Sequence, residues 1–361
     1  ILAYIIFLSL ILILFKTTIY KWQVLALLVA QEMRWHMTTR QLNIGSFFAG
    51  VGGIDLGFEK AGFKVAYANE IDPYPVQTYN LNFNISADNR DICEVLAKEI
   101  PDFDILVGGF PCQAFSVAGY REGFDDKKGR GTLFFEIIRI IKEKKQLGKQ
   151  PSIVFLENVK NLKTHDNGNT FKVINATLKQ LGYVVKSAVL NACEYGNIPQ
   201  NRERIYIVGF LDKKIADKFD FANISKVALS IKITDLISQD KLDDSLYYTK
   251  NFKQFDELKK YIKSKETLYQ WRRQYVRENK SNLCPTLTAN MGTGGHNVPL
   301  VLTDNGIRKL TPKECFLFQG FPNDFKLPTI GASRLYKQAG NSVVVSVIQK
   351  IASEIKKALN Q

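Results

Sequence analysis

The sequence predicts an open α/β fold with one large domain and a smaller one attached. Short branched-apolar runs recur along the chain, each ending in a polar or glycine-rich turn. The first run leads through a glycine turn into a helical pattern, the layout of a strand–turn–helix unit. The chain has 361 residues with 45% hydrophobic content, enough for one large core and a second small one.

Taken in order, Asn43-Ile44-Gly45-Ser46-Phe47 reads as a strand, and Phe48-Ala49-Gly50-Val51-Gly52-Gly53 as the glycine turn before a helix. Phe63-Lys64-Val65-Ala66-Tyr67-Ala68 reads as a second strand, tipped by Asn69-Glu70. Glycines let a ligand approach backbone, and a carboxylate at the next strand tip suits ribose hydroxyls, so this layout suits a nucleoside. The spacing is FxGxGG rather than GxGxxG, and no phosphate-cradling GxxxxGK[ST] is present. Asp91-Ile92 precedes the next strand, within reach of an adenine amino group.

That strand, Phe103-Asp104-Ile105-Leu106-Val107-Gly108-Gly109, runs into Phe110-Pro111-Cys112-Gln113. It presents one thiol at the carboxyl edge of the sheet, where open α/β folds bind ligands. Cysteine is the right nucleophile for an electron-poor ring carbon if its thiolate fraction is raised; a small buried cysteine that only packs is the alternative. Ile153-Val154-Phe155-Leu156 ends in Glu157-Asn158-Val159, and a carboxylate beside an apolar pocket holds its proton to higher pH. Gln200-Asn201-Arg202-Glu203-Arg204 leads into the strand Ile205-Tyr206-Ile207-Val208-Gly209-Phe210. Arg202 and Arg204, two apart in extended chain, would point the same way and grip a carbonyl or phosphate. A structural Glu157–Arg204 ion bridge stays open.

The 49 Lys+Arg against 35 Asp+Glu give +14, which favours a polyanionic partner without separating nucleic acid from an anionic membrane surface. Five cysteines (Cys93, Cys112, Cys193, Cys284 and Cys315) show no CxxC or Cys/His pairing. This argues against a disulfide framework or a zinc site and for a reducing cytoplasm. Residues 1–15 are apolar apart from Ser9, short of the roughly twenty that a spanning helix needs. Residues 1–36 are expected to be upstream sequence outside the body, which starts near Met37, rather than a membrane anchor. Lys16, Lys21 and Arg34 against Glu32 account for +2 of the charge, leaving +12 on the rest.

The ordered set of blocks resembles the bacterial C5-cytosine DNA methyltransferases of restriction-modification systems. The resemblance rests on Phe48-Ala49-Gly50-Val51-Gly52-Gly53, Gly109-Phe110-Pro111-Cys112-Gln113, Gly131-Thr132-Leu133-Phe134-Phe135, Glu157-Asn158-Val159 and Gln200-Asn201-Arg202-Glu203-Arg204. It continues through Arg308-Lys309-Leu310-Thr311-Pro312-Lys313-Glu314-Cys315, Gln319-Gly320-Phe321-Pro322 and Gln338-Ala339-Gly340-Asn341-Ser342-Val343, and it covers nearly everything from Leu42 onward.

The resemblance implies a Rossmann-like S-adenosylmethionine-dependent methyltransferase domain with a smaller target-recognition domain. The expected division is 37–212 for the catalytic and cofactor-binding domain, 213–325 for target recognition, and 326–361 for a segment packing back on the first domain. In that last segment Val344, Val347, Ile348, Ile351 and Ile355 have helical spacing. By resemblance Cys112, Glu157, Arg202 and Arg204 are catalytic. Phe48, Gly50, Gly53, Glu70, Asp91, Ile92, Pro111, Leu133 and Asn341 hold S-adenosylmethionine, with no metal. DNA contacts are assigned to Gln113, Arg130, Arg272, Arg273, Thr288 and Gly294, with residues 113–130 as a closing loop.

The implied substrate is double-stranded DNA and the implied state a monomer, with a cognate restriction endonuclease acting on the same site without contact. Trp271-Arg272-Arg273 and residues 286–295 resemble recognition segments that read short palindromes with CC/GG ends. Two other classes remain open: an RNA cytosine methyltransferase on the same scaffold, and a non-catalytic binding module. Side-by-side assays on DNA and tRNA separate the first, and methyl transfer itself tests the second.

Overall fold

A computed structural model describes residues 41–111, 133–294 and 296–360. Six strands form the main sheet: β1 (Asn43–Phe47), β2 (Lys64–Asn69), β3 (Ile105–Gly108), β4 (Ile153–Val159), β5 (Val184–Asn191) and β6 (Glu203–Phe210). Their order is β2-β1-β3-β4-β6-β5. β1 to β4 are mutually parallel, whereas β6 runs antiparallel to both its neighbours. The carboxyl ends of β1, β2, β3 and β4 therefore share one edge, and β6 enters from that same edge beginning with Glu203.

Helices α1 (Gly53–Lys60), α2 (Pro73–Asn80), α3 (Leu133–Gln146), α4 (Asn169–Gln180) and α5 (Ala192–Tyr195) connect these strands. They are followed by α6 (Lys213–Lys218), α7 (Phe255–Tyr261), α8 (Pro312–Leu317), α9 (Ala332–Asn341) and α10 (Val345–Asn360). Alternation along the strands sends side chains to two buried faces. Ile105 and Val107 join Ile44, Val65 and Ile153 under Val347, Ile348, Ile351 and Ile355 of α10. Leu106 and Val154 face the other way, against Phe134, Ile137 and Ile141 of α3 and Ile174 and Leu178 of α4. Helical spacing in α10 thus serves one sheet face, and the two layers of helix account for the unbroken apolar runs of the central strands, residues 105–107 in β3 and 153–156 in β4.

A second, antiparallel sheet has the order β10-β9-β7-β8, from β7 (Tyr269–Arg272), β8 (Tyr275–Glu278), β9 (Leu300–Thr303) and β10 (Gly306–Lys309). Residues 213–280 look poor in strand runs, yet β7 and β8 pair there as a hairpin. The aromatics interleaved with charges are its alternation: Tyr269 and Trp271 are buried while Arg272 is exposed. Beside this sheet, Thr311 and Glu314 form a reciprocal N-cap with Pro312 in the first turn of α8. Glu314 also pairs with buried Arg308 at 2.6 Å, which explains the chemistry of that block. Among the described residues no helix is long and apolar enough to cross a membrane.

Candidate active site

The glycine turn after β1 is left-handed at Phe48 (φ 56°), Gly50 (φ 57°) and Gly52 (φ 83°), a conformation that glycine adopts without a steric penalty. It brings the Gly50 N–H to Glu70 Oε2 at 2.9 Å, and the Asp72 N–H donates to Glu70 Oε1, also at 2.9 Å. Both carboxylate oxygens are thereby fixed at the tip of β2. Burial nevertheless raises the Glu70 pKa, against the backbone N–H groups that lower it. Below the turn, fully buried Asp55 accepts from Ser46 Oγ at 2.5 Å and from Tyr79 OH at 2.8 Å. Its carboxyl is pushed up to about 7, chiefly by burial.

Asp91 caps a short turn, its Oδ1 accepting the Cys93 N–H at 3.0 Å, and Ile92 beside it is buried. Glu157 lies near the end of β4, with Arg204 Nε 3.1 Å from its Oε1. The ion bridge is present. Burial drives the Glu157 pKa up, and the charges of Arg204 and Arg202 oppose this without cancelling it. The neighbouring Asn158 donates from Nδ2 to the Phe110 carbonyl at 2.8 Å, tying β4 to the turn that leads into Cys112.

One cavity of about 660 Å³ is lined by Phe48, Gly50, Gly53, Glu70, Asp91, Ile92, Pro111, Leu133 and Asn341 together with Glu157, Arg202 and Arg204. The structure thus brings together all nine residues expected to hold the cofactor and three of the four expected to be catalytic. Cys112, Gln113 and Arg130, with the rest of the expected closing loop, lie outside the described residues, as do residues 1–36. Arg272 and Arg273 sit at the β7–β8 turn, and Thr288 and Gly294 in the loop before β9. All four are exposed, and none lines the cavity.

Arg202 departs from expectation. Its guanidinium is buried on backbone carbonyls of Leu287, Gly340 and Ser342, while Arg204 alone meets Glu157. Burial, and then the charge of Arg204, push its pKa down to about 9, so it stays charged at neutral pH.

Sequence reasoning missed further lining residues. Arg334 and Lys337 precede Asn341 on α9 by seven and four residues, a helical spacing that places them on the cavity side. The Arg334 guanidinium lies 4.3 Å from the Tyr74 ring centroid, and Lys337 Nζ is 2.9 Å from Asp72 Oδ2. Gln338 Nε2 and Ser342 Oγ, on two further lining residues, are buried without a hydrogen-bond partner among the described residues.

The family model of the C-5 cytosine-specific DNA methylases matches residues 42–357. The type II methyltransferase M.Bsp6I of Bacillus sp. (strain RFL6) is 58% identical over 321 residues, covering 88% of this chain and 99% of the relative. M.HhaI of Haemophilus parahaemolyticus, also a type II methyltransferase, is 38% identical over 331 residues, covering 87% and 94%. Among solved structures, the Dnmt2 methyltransferase of S. pombe superposes with a TM-score of 0.68 at 20% identity, covering 89% of this chain and 100% of that one. The likeness extends to the whole Rossmann-like fold. The chain belongs to the C-5 cytosine-specific DNA methylases, as a DNA (cytosine-5)-methyltransferase of the type II restriction-modification kind.

Proposed function

We propose that this enzyme methylates C5 of one cytosine within a short duplex recognition sequence, passing through a covalent Cys112–C6 adduct, and protects DNA from a nuclease that reads the same site. The observation that carries this reading is the single cavity shared by the expected cofactor residues and by Glu157 with Arg204. Its residues fit S-adenosylmethionine. Glu70 suits ribose hydroxyls, Asp91 suits an adenine amino group, and the unpartnered polar atoms of Gln338 and Ser342 offer hydrogen bonds to a methionine moiety. When bound, S-adenosylmethionine supplies an electrophilic methyl group.

The chain's own residues do the rest. A thiol cannot reach C6 inside a stacked duplex, so the cytosine must be extruded into the cavity. Addition of the Cys112 thiolate at C6 breaks aromaticity and makes C5 enamine-like. A free thiol with a pKa of about 8.5 is only a few per cent ionised at neutral pH, so neighbouring charge or proton transfer must assist. Glu157, protonated to higher pH by its burial, donates at N3 and avoids negative charge on the ring. Arg204, 3.1 Å from Glu157, holds O2 in this reading. Loss of the C5 proton and expulsion of Cys112 then restore the ring.

Tritiated methyl transfer to unmethylated bulk DNA and to tRNA, side by side, tests the substrate, and bisulfite sequencing of a host plasmid locates the target. Cys112→Ser is expected to abolish transfer while duplex binding persists, and DNA with 5-fluorocytosine at the target should trap the wild type covalently. A serine variant with appreciable turnover would overturn the covalent mechanism.

A further inference from the structure

Arg202 touches two segments at once. Its Nη1 donates to the Leu287 carbonyl at 2.7 Å, and its Nη2 to those of Gly340 at 3.1 Å and Ser342 at 2.5 Å. Gly340 and Ser342 flank Asn341, so one guanidinium holds the backbone on both sides of a residue that is itself exposed to the cavity. The ionic partner in contact with Glu157 is Arg204, and Arg202 Nε has no partner among the described residues. A charge buried on carbonyls alone is a costly arrangement, and a planar fork is what lets it span three acceptors.

The same seam is braced nearby. Gln200 accepts the Leu287 N–H at 3.1 Å and donates to the Phe318 carbonyl at 2.6 Å, while Gln319 donates to the Ala339 carbonyl at 2.6 Å. The loop of residues 286–292 also lies against α9. A Cβ on Gly340 would come within 2.1 Å of the Thr288 oxygen, and one on Gly292 within 2.7 Å of the Tyr336 ring. Helix α9 therefore carries cavity-lining residues and, at Gly340 and Tyr336, the backbone of this loop.

We propose that Arg202 is a positioning residue: it presents Asn341 to the cofactor and locks the loop of residues 286–292 to the end of α9. Filling the cavity then orders the loop, and ordering the loop tightens the cavity, because such coupling is reciprocal. This rests on the reading that the cavity takes S-adenosylmethionine.

The test uses the full chain and S-adenosylhomocysteine as the probe. Calorimetry on the wild type checks the cavity reading by itself: absence of binding there refutes the cofactor assignment, and with it the ground for the coupling. With binding established, hydrogen exchange of the amides of residues 286–292 should slow about tenfold on saturation. Unchanged exchange overturns the coupling, whatever any variant does.

Arg202→Lys keeps the charge and loses the fork. It should raise the S-adenosylhomocysteine Kd and the S-adenosylmethionine KM about tenfold, with kcat down less than about threefold. The probe should no longer slow exchange in the loop. A large fall in kcat at unchanged KM would make Arg202 catalytic, and a lowered Tm with unchanged affinity and exchange response would make it merely structural. Either result overturns the proposal. Should the lysine variant fail to fold, the wild-type exchange experiment still decides.

Discussion

At the scale of single residues, Glu157 is where burial and charge compete. Glu157→Gln keeps the shape and removes the proton, and general acid catalysis typically contributes about 10²–10⁴-fold, so turnover should fall by that order with S-adenosylhomocysteine affinity nearly unchanged. The pH dependence has a definite sign. The folded pKa is raised, and on the proposed role as proton donor to N3 the working form is the protonated one, so kcat/KM should decline as pH rises through that value. Removing the cation 3.1 Å away, as in Arg204→Ala, should lower activity and move the remaining decline to higher pH. A pH–rate profile that moves to lower pH would contradict this.

Much of the site was legible at this scale. Glu70 and Glu157 sit just beyond or near the ends of strands that can be read from apolar runs, whereas Asp91, expected at a third strand tip, caps a short 3-10 turn instead. The direction of Arg202 was not legible, because alternation applies within a strand and Arg202 precedes the first residue of β6. Lys337 and Arg334 were passed over because their helical register with Asn341 becomes informative only once that face of α9 has a cavity beside it.

At the scale of elements, the turn between β1 and α1 rests on Asp55, which ties Ser46 of β1 to Tyr79 of α2. Its folded pKa, about 7, lies above the roughly 3.9 of an unfolded aspartate. The stability it contributes is therefore full below about pH 4 and is lost as pH rises through about 7. Asp55→Asn should flatten the pH dependence of urea unfolding between roughly pH 4 and 7, and an unchanged slope would show that another group is responsible. Gly340→Ala drives a methyl into the backbone of Thr288 and Ala289, which cannot yield as a flexible side chain could. A loss on the order of 1–3 kcal/mol in the same unfolding assay is expected. The β7–β8 hairpin escaped sequence reading because each strand is four residues long, and its alternating pattern reads equally well as a charged surface segment.

At the scale of the whole molecule, the family match spans residues 42–357, and all the residues proposed to be catalytic lie within it. A chain starting at Met37 should be fully active; loss of activity, or fractionation of the full chain with membranes, would assign residues 1–36 a role. Residues 213–325 are proposed to set specificity, and grafting them into a relative of different specificity should transfer the target site. Active grafts that keep the recipient's site would place recognition elsewhere. Within the segment, exchanging a phosphate-contacting lysine should reduce the salt slope by about one unit. Exchanging Arg272 or Arg273, exposed at the hairpin turn, should instead cost about 1–3 kcal/mol at one base pair.

The cavity has one more consequence, for inhibition. Glu70 and Asp91 line the same void as Glu157 and Arg204, and its volume of about 660 Å³ is in the range that drug-sized ligands fill. A nucleoside joined by a short linker to a pyrimidine would need no second pocket. If the cavity takes S-adenosylmethionine and the extruded cytosine as proposed, it would occupy both ends together and compete with both substrates.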